Sequence, residues 1–397
     1  MKYRMPDYYN QFKCIADKCP DTCCAGWDIV IDDKSMKKYK SFEGDLKDYV
    51  MGNINESEQV FKRCGARCSF LNDNNLCDLY TRAGEESLCK TCFRYPRHFE
   101  EYGELVEAAL SISCPVAAKM IIDRKAKDRF LIKANDKKTP RDKEVDKKLL
   151  EVLLRVRKTI FNIVSNRKCG VGERTKAIMK LGQDIQPVLY DYERLGLKKY
   201  IKASRDGLLN NIEEIRSKYD DLNTEDAVKV KAVGLSGLAE TSITKIKRDF
   251  FEVLSGLEKI NDDWEEVVNH IINVLYVDLS DEEYKKLSDE FDVYMKDRQY
   301  EYEHILNYFL YTYFLGSVYD YNALAMIKMS VISTIIIREM GMTVWLDNDK
   351  EFSVDEQIKV AYTYSRQIEH SDNNLMCMEG LMTAHPVFGD EKILSVL

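Results

Sequence analysis

The sequence predicts a mainly α protein in which a small, irregular, cysteine-rich metal-binding head with a short β element precedes a helical body. Three observations carry that expectation. Ten of the twelve cysteines stand before residue 115. Beyond residue 148, apolar residues recur at helical spacing, and few glycines or prolines interrupt them. Between these regions, Asp123 to Lys148 is dense in charge, holds Pro140 and lacks apolar periodicity, which reads as an exposed connection. The expected divisions are therefore a head over residues 1–122, a connection over 123–148 and a helical domain over 149–397.

Within the head, "WDIVID" alternates Trp27, Ile29 and Ile31 against Asp28, Val30 and Asp32, the pattern of a half-buried strand. Asp32 or Asp33 then suits the cap of a helix starting near Lys34. In the body, Leu149, Leu153, Val156, Ile160 and Ile163 fall on one stripe of an amphipathic helix. Similar stripes recur in "DDWEEVVNHIINVL", "EYEHILNYFLYTYFLGSV" and "SVDEQIKVAYTYSRQIEH". The run from Ala323 to Ile337 is 15 residues and contains Lys328, short of the roughly 18–20 apolar residues that cross a bilayer. It reads as a buried helix, so no membrane span is expected.

Composition excludes some functions. At 397 residues, 45% apolar and 11% aromatic, the chain has ample material for buried cores. Its 59 basic and 67 acidic residues leave a net charge of −8. No net basic field exists to hold a nucleic acid. The start, "MKYRMPDYYNQFKC", lacks an apolar stretch followed by a small-residue cleavage site, which points to a cytoplasmic protein. Thiols in that reducing compartment bind metal or do chemistry more often than they form disulfides.

The cysteine spacings are Cys14-x4-Cys19-x3-Cys23-Cys24, Cys64-x3-Cys68, Cys77, Cys89-x2-Cys92 and Cys114. Separations of two to four residues let neighbouring thiolates converge on one centre. Spacing alone leaves structural zinc, an iron–sulfur cluster and buried free thiols all open. A radical S-adenosylmethionine motif is absent, because the position that would complete it holds Gly26 after Cys19 and Cys23, and Leu71 after Cys64 and Cys68. A glycine-rich dinucleotide turn is absent too. His304 and His370 have no His or Cys at ligand spacing and read as structural, and Trp264 and Trp345 read as packing residues. The aromatic run around Tyr308 reads as core in preference to a peptide groove.

Taken together, "CIADKCPDTCCAGWDIVID", "CSFLNDNNLCDLY", "TCFRYPRHF" and "SISCPVAAK" resemble the flagellin lysine-N-methylase family, within a broader group that has a CxxCxxxCC-type metal-chelating head. The body segments "LLRVRKTIFNIVSNRKCGVGERTKAIMKLG", "YEHILNYFLYTYF" and "YTYSRQIEH" extend the resemblance over most of the chain. The resemblance implies a cytoplasmic transferase that moves methyl groups from S-adenosylmethionine to lysine side chains of flagellin, with a 4Fe-4S cluster in the head. The cysteines matching the family pattern are Cys14, Cys19, Cys23, Cys24, Cys68, Cys77, Cys92 and Cys114, with Cys64 and Cys89 additional. Zinc stands as the alternative metal. A metal-stapled interaction module and a redox iron–sulfur protein stand as the alternative functions.

The implied chemistry asks for particular residues. A lysine amine, with a free pKa near about 10.4, must lose its proton before it can take a methyl group. Aromatic faces stabilise the donor's sulfonium. Beside Cys92, "FRYPRHF" supplies Arg94, Tyr95 and Arg97 as candidate donor-binding residues, an arginine suiting the donor's carboxylate.

Overall fold

The computed structural model describes residues 1–134, 145–196, 202–220 and 242–397. Helices make up 65% of it, as the periodicity predicts. Of the expected connection, residues 135–144 lie outside the described residues, and Phe130–Ala134 is a strand.

That strand belongs to a four-stranded sheet. Its members are β1 (Lys2–Pro6), β2 (Arg97–Tyr102), β3 (Leu105–Leu110) and β4 (Phe130–Ala134), in the spatial order β2-β3-β1-β4. β2 and β3 form a hairpin with Phe99 opposite Ala108. The two-residue turn between them starts with Gly103 at φ +63°, the left-handed backbone that such turns need. β1 runs parallel to β3, with Tyr3 opposite Val106, and antiparallel to β4, with Arg4 opposite Ile132. Helical periodicity in the body could not reveal this sheet, since β1 pairs with strands a hundred or so positions away.

Two hydrophobic cores follow. The smaller gathers Ile29, Ile31, Met36, Tyr39, Val50, Ile54, Phe61, Phe70 and Leu79 around the buried Cys68 and Cys89. The larger takes Met5, Tyr8 and Phe12, the sheet residues Tyr102, Ala108 and Leu110, and the body helices through to Leu394. In "WDIVID" the burial alternates as expected, with Ile29 at 4% and Ile31 at 1% exposure against Val30 at 55%. The strand does not form, however: only isolated bridges at Ala25 and Val30 tie this segment to Arg67 and Val60. Asp32 caps the helix Asp33–Lys40, its Oδ1 accepting the Ser35 N–H at 3.1 Å.

The body is built on α1 (Lys147–Val164), α2 (Val171–Gly196), α3 (Tyr300–Tyr313), α4 (Ala323–Asp347) and α5 (Val354–Glu369). The Asp146 carboxylate caps α1, and Ser353 with Glu356 forms a capping box on α5. Leu149, Leu153, Val156, Ile160 and Ile163 are all buried along α1. α4 is buried on nearly every side, which explains why apolar residues dominate all its faces, with Lys328 and Glu339 buried among them. It lies close against α2 at Gly182, where a Cβ would come within 2.9 Å of Ile327 Cδ1. Lys328 pairs with Asp390 at 3.1 Å, and no helix among the described residues is long and apolar enough to cross a membrane.

Sheet and body are joined by a buried ion pair. Arg157 of α1 donates to both carboxylate oxygens of Glu107 on β3, at 2.8 and 2.5 Å, and also to the Tyr311 carbonyl of α3 at 2.9 Å. Arg157 and Glu107 are 1% and 4% exposed, so neither charge has water as a substitute partner. Phe130 of β4 stacks beside them between Tyr311 and Phe161, with centroids at 4.5 and 5.0 Å. Removing Glu107 leaves Arg157 buried and uncompensated, and removing Arg157 leaves Glu107 with the partly exposed Arg4, at 3.4 Å, as its counter-charge. Arg157→Ala is expected to destabilise the fold by about 3–5 kcal/mol in chemical denaturation, whereas the double change Glu107→Gln, Arg157→Met loses less than the sum of the singles. An unchanged denaturation midpoint in Arg157→Ala would remove the pair from the account.

Candidate functional site

A cavity of about 790 Å³ opens where the cysteine-rich segment meets the body. One wall is Trp27 and the stretch Arg94 to His98, leading into β2. A second is Ser111 and Ser113, just before Cys114. The third comes from Tyr308, Thr312 and Tyr313 of α3 and from Glu369 and His370 at the end of α5. The volume lies within the roughly 300–1,000 Å³ typical of small-molecule sites.

Arg366 fixes these walls together. From α5, its Nε donates to the Ser113 carbonyl at 2.9 Å and its Nη2 to the Asp21 carbonyl at 3.0 Å, while Nη1 pairs with the Asp21 carboxylate at 2.6 Å. Asp21 lies between Cys19 and Cys23, so one guanidinium ties the first cysteine loop and the Cys114 approach to the helix that carries Glu369. Trp27 reinforces the join. Its Nε1 donates to the Cys23 carbonyl at 2.7 Å, and its ring stacks on His370 with centroids 4.5 Å apart. Tyr95 lies 5.9 Å from both rings and shares a 3.0 Å hydrogen bond with the Ser113 hydroxyl.

The polar centre of the cavity is Glu369. Its Oε1 accepts from the Tyr308 hydroxyl at 2.8 Å and the Tyr313 hydroxyl at 2.5 Å, and its Oε2 accepts from Ser365. Burial raises its pKa above the ordinary carboxylate value despite those hydrogen bonds and the nearby His98. Burial, and then the Glu369 charge, likewise push both tyrosines well above their usual range. His370 moves the other way: burial and the Arg366 charge lower it to about 3, which keeps the imidazole neutral. Its Nε2 has no hydrogen-bond partner. His370 is therefore not the satisfied structural histidine that its sequence context suggests, because it faces the cavity. His304 does match that reading, placed between Asp128 at 2.9 Å and the Arg124 carbonyl at 2.8 Å. Trp264 and Trp345 pack in the core.

The donor-binding candidates Arg94, Tyr95 and Arg97 all line the cavity. The Arg94 guanidinium lies over Phe99 at 5.4 Å and that of Arg97 over Phe12 at 5.1 Å. The helix around Tyr308 divides between two roles: Ile305 and Phe309 are core, while Tyr308, Thr312 and Tyr313 reach the cavity. Glu369 and His98 were missed by sequence reasoning. The "RQIEH" segment and the "RYPRHF" segment offered polar residues next to aromatic ones, but no local pattern joined them.

The ten cysteines before residue 115 are free thiols. Cys14, Cys19, Cys23 and Cys114 influence one another electrostatically, and so do Cys24, Cys68, Cys77, Cys89 and Cys92. The adjacent Cys23 and Cys24 link the two groups, since Cys23 acts on both Cys114 and Cys92. Within the hydrogen-bonded pair Cys23–Cys24, that bond raises Cys23 and lowers Cys24 to about 7. Cys89 and Cys92 form a second such pair, with Cys89 lowered by its bond from Cys92. Cys64 is exposed. Among the described residues, however, no three His, Cys, Asp or Glu side chains stand in an arrangement that would hold a metal ion. As placed, the eight pattern cysteines do not form a ready ligand set.

His370 supplies a pH test. Its lowered folded pKa means that the unfolded chain, with an ordinary histidine near 6.5, binds the proton more readily. The contribution is fully present above pH 6.5 and is lost as pH falls toward about 3. Trp27, Tyr95 and Arg366 surround the ring. His370→Phe keeps the stack on Trp27 and removes the titration, so unfolding free energy should fall less steeply with acid across that window. Identical slopes in the two proteins would show that His370 is already charged or exposed in the folded state.

Comparison with known proteins gives this geometry a context. The family model described as the FliB lysine N-methylase C-terminal domain matches residues 157–396, more than half of the chain and including α3 and α5 of the cavity wall. The flagellar biosynthetic protein FliU of Salmonella muenchen is 29% identical over 127 residues, which are 30% of this chain and 75% of that protein. The lysine-N-methylases of Salmonella typhimurium and Salmonella choleraesuis are each 27% identical over 127 residues, or 30% of this chain and 32% of their own length. The match thus spans about a third of those two methylases. No solved structure matches. The chain belongs to the FliB lysine N-methylase family.

Proposed function

We propose that this protein transfers a methyl group from S-adenosylmethionine to lysine side chains of a protein, flagellin being the substrate, and that the cavity beside Glu369 is where it does so. The observation that carries the reading is one cavity, in a lysine N-methylase family member, with a carboxylate, two tyrosine hydroxyls and an aromatic group on its walls. The flagellar name of one relative supports flagellin as the substrate.

In the reaction, the unprotonated lysine nitrogen attacks the sulfonium methyl carbon. The new N–C bond forms as the S–C bond breaks, S-adenosylhomocysteine leaves neutral, and the surplus proton departs from nitrogen. The site must bring an uncharged amine in line with a cationic donor and keep water away. Trp27, Tyr95 and neutral His370 offer aromatic faces to the sulfonium. Arg94 and Arg97 are placed on the same wall to hold the donor's carboxylate.

Cys14, Cys19, Cys23, Cys24, Cys68, Cys77, Cys92 and Cys114 are proposed as the set from which four thiolates bind a 4Fe-4S cluster, the others holding a second metal or doing other work, with zinc as the alternative metal. Their family-like spacing and mutual electrostatic influence support this. Metal analysis of anaerobically purified protein should find iron and inorganic sulfide with broad visible absorption. Stoichiometric zinc without iron would overturn the cluster.

Mass spectrometry of flagellin incubated with the protein and S-adenosylmethionine should show methylated lysines. Unmodified flagellin with fully folded, metal-loaded protein would contradict the reading. In titration calorimetry, Arg97→Ala should weaken donor binding roughly 10- to 150-fold, the worth of one charge-assisted bidentate contact, with lysine restoring only part of it. Wild-type donor affinity in the folded variant would confine Arg97 to its stacking on Phe12.

A further inference from the structure

We infer that Glu369, framed by Tyr308 and Tyr313, is the receptor for the substrate's primary ammonium group, and so selects a lysine side chain over an uncharged one of the same length. The inference rests on the proposed lysine methylation but assigns it a recognition site. A carboxylate offers about four lone-pair positions. The two tyrosine hydroxyls and the Ser365 hydroxyl account for three. The side chain still lines the cavity, so the remaining position is accessible to a ligand.

The charge balance points the same way. Glu339, a fully buried carboxylate of the body, has Lys247 and Arg338 each at 2.9 Å, besides hydroxyls of Tyr276 and Tyr284. Its two cations satisfy it within the protein. Glu369 has the same two-tyrosine arrangement, yet among the described residues no lysine or arginine pairs with it, and His98, which acts on it from a distance, pairs with Glu100 at 3.0 Å. A carboxylate withdrawn from water without a counter-ion is unfavourable, and an ammonium entering the cavity removes that deficit. The phenol oxygens, which already donate to Glu369, keep lone pairs for the ammonium hydrogens. Their rings suit its methylene stem and charge. A guanidinium, planar and forked, would need two free acceptor positions side by side, which the Oε1 contacts of both tyrosines deny it.

The test uses the full-length protein and two synthetic peptides that differ only in carrying one lysine or one norleucine. In calorimetric titration, the wild type should bind the lysine peptide at least tenfold more tightly, and Glu369→Gln, with an unchanged melting temperature, should abolish that preference. Tyr313→Phe should reduce it severalfold, and provides the reading if Glu369→Gln does not fold. S-adenosylmethionine affinity should be unchanged in both variants. Methylation kinetics then separate the two ideas. Should flagellin be methylated while Glu369→Gln keeps the wild-type KM and lysine preference, the receptor is overturned and the transferase stands. Should the Glu369-dependent preference appear without methyl transfer to flagellin, the receptor is upheld and the flagellin assignment falls. A wild type that binds both peptides equally, or neither, overturns the inference.

Discussion

The cavity exists because Arg366 makes three contacts that no other residue type could make from one position. It reaches the Ser113 carbonyl, the Asp21 carbonyl and the Asp21 carboxylate from a single turn of α5. The planar fork allows this, and a lysine ammonium at the same place would span only part of it. Three residues further along, α5 presents Glu369, and the next residue is His370. The position of the first cysteine loop and the position of the buried carboxylate are therefore set by the same helical turn. Trp27, hydrogen-bonded to the Cys23 carbonyl and stacked on His370, locks the second side of that join.

Around it, similar polar parts serve different ends according to their partners. Glu107 and Glu339 are carboxylates paired with cations, and they hold sheet to body and helix to helix. Against the burial that would raise it, the Lys247 and Arg338 charges hold Glu339 down to about 2. Glu369 has only hydroxyl donors, and burial carries its pKa upward. Desolvation is common to both residues, so the difference lies in the missing cation. For the proposed transfer from a cationic donor to an amine that arrives charged, a carboxylate and neutral aromatic groups in one space are complementary to what has to enter.

The sequence revealed the helices well, because burial on one face writes itself into local periodicity: Leu149 to Ile163 and the mostly apolar α4 are direct examples. The cap at Asp32 was equally local. The sheet was illegible, since Tyr3 pairs with Val106 and Arg4 with Ile132. "WDIVID" shows the intermediate case, in which alternation correctly marks buried Ile29 and Ile31 but cannot say whether a partner strand exists. The site divides in the same way. Arg94, Tyr95 and Arg97 were visible as a cluster beside a cysteine, whereas Glu369 becomes distinctive only when Tyr308 and Tyr313 arrive from more than fifty residues away. The cysteine spacing marked a thiol-rich region, but the way Cys23 and Cys24 together connect Cys114 with Cys92 is a property of the folded chain.

The account stands on the methyl donor occupying the cavity beneath Arg366. Hydrogen–deuterium exchange of the full-length protein with and without S-adenosylmethionine addresses this most directly, because it reads every segment at once. The donor should slow exchange around Trp27, through Arg94 to His98 and at the end of α5 near His370. Protection confined to the separate cavity around Lys247 and Glu339 would contradict it, as would no protection in protein shown to bind the donor.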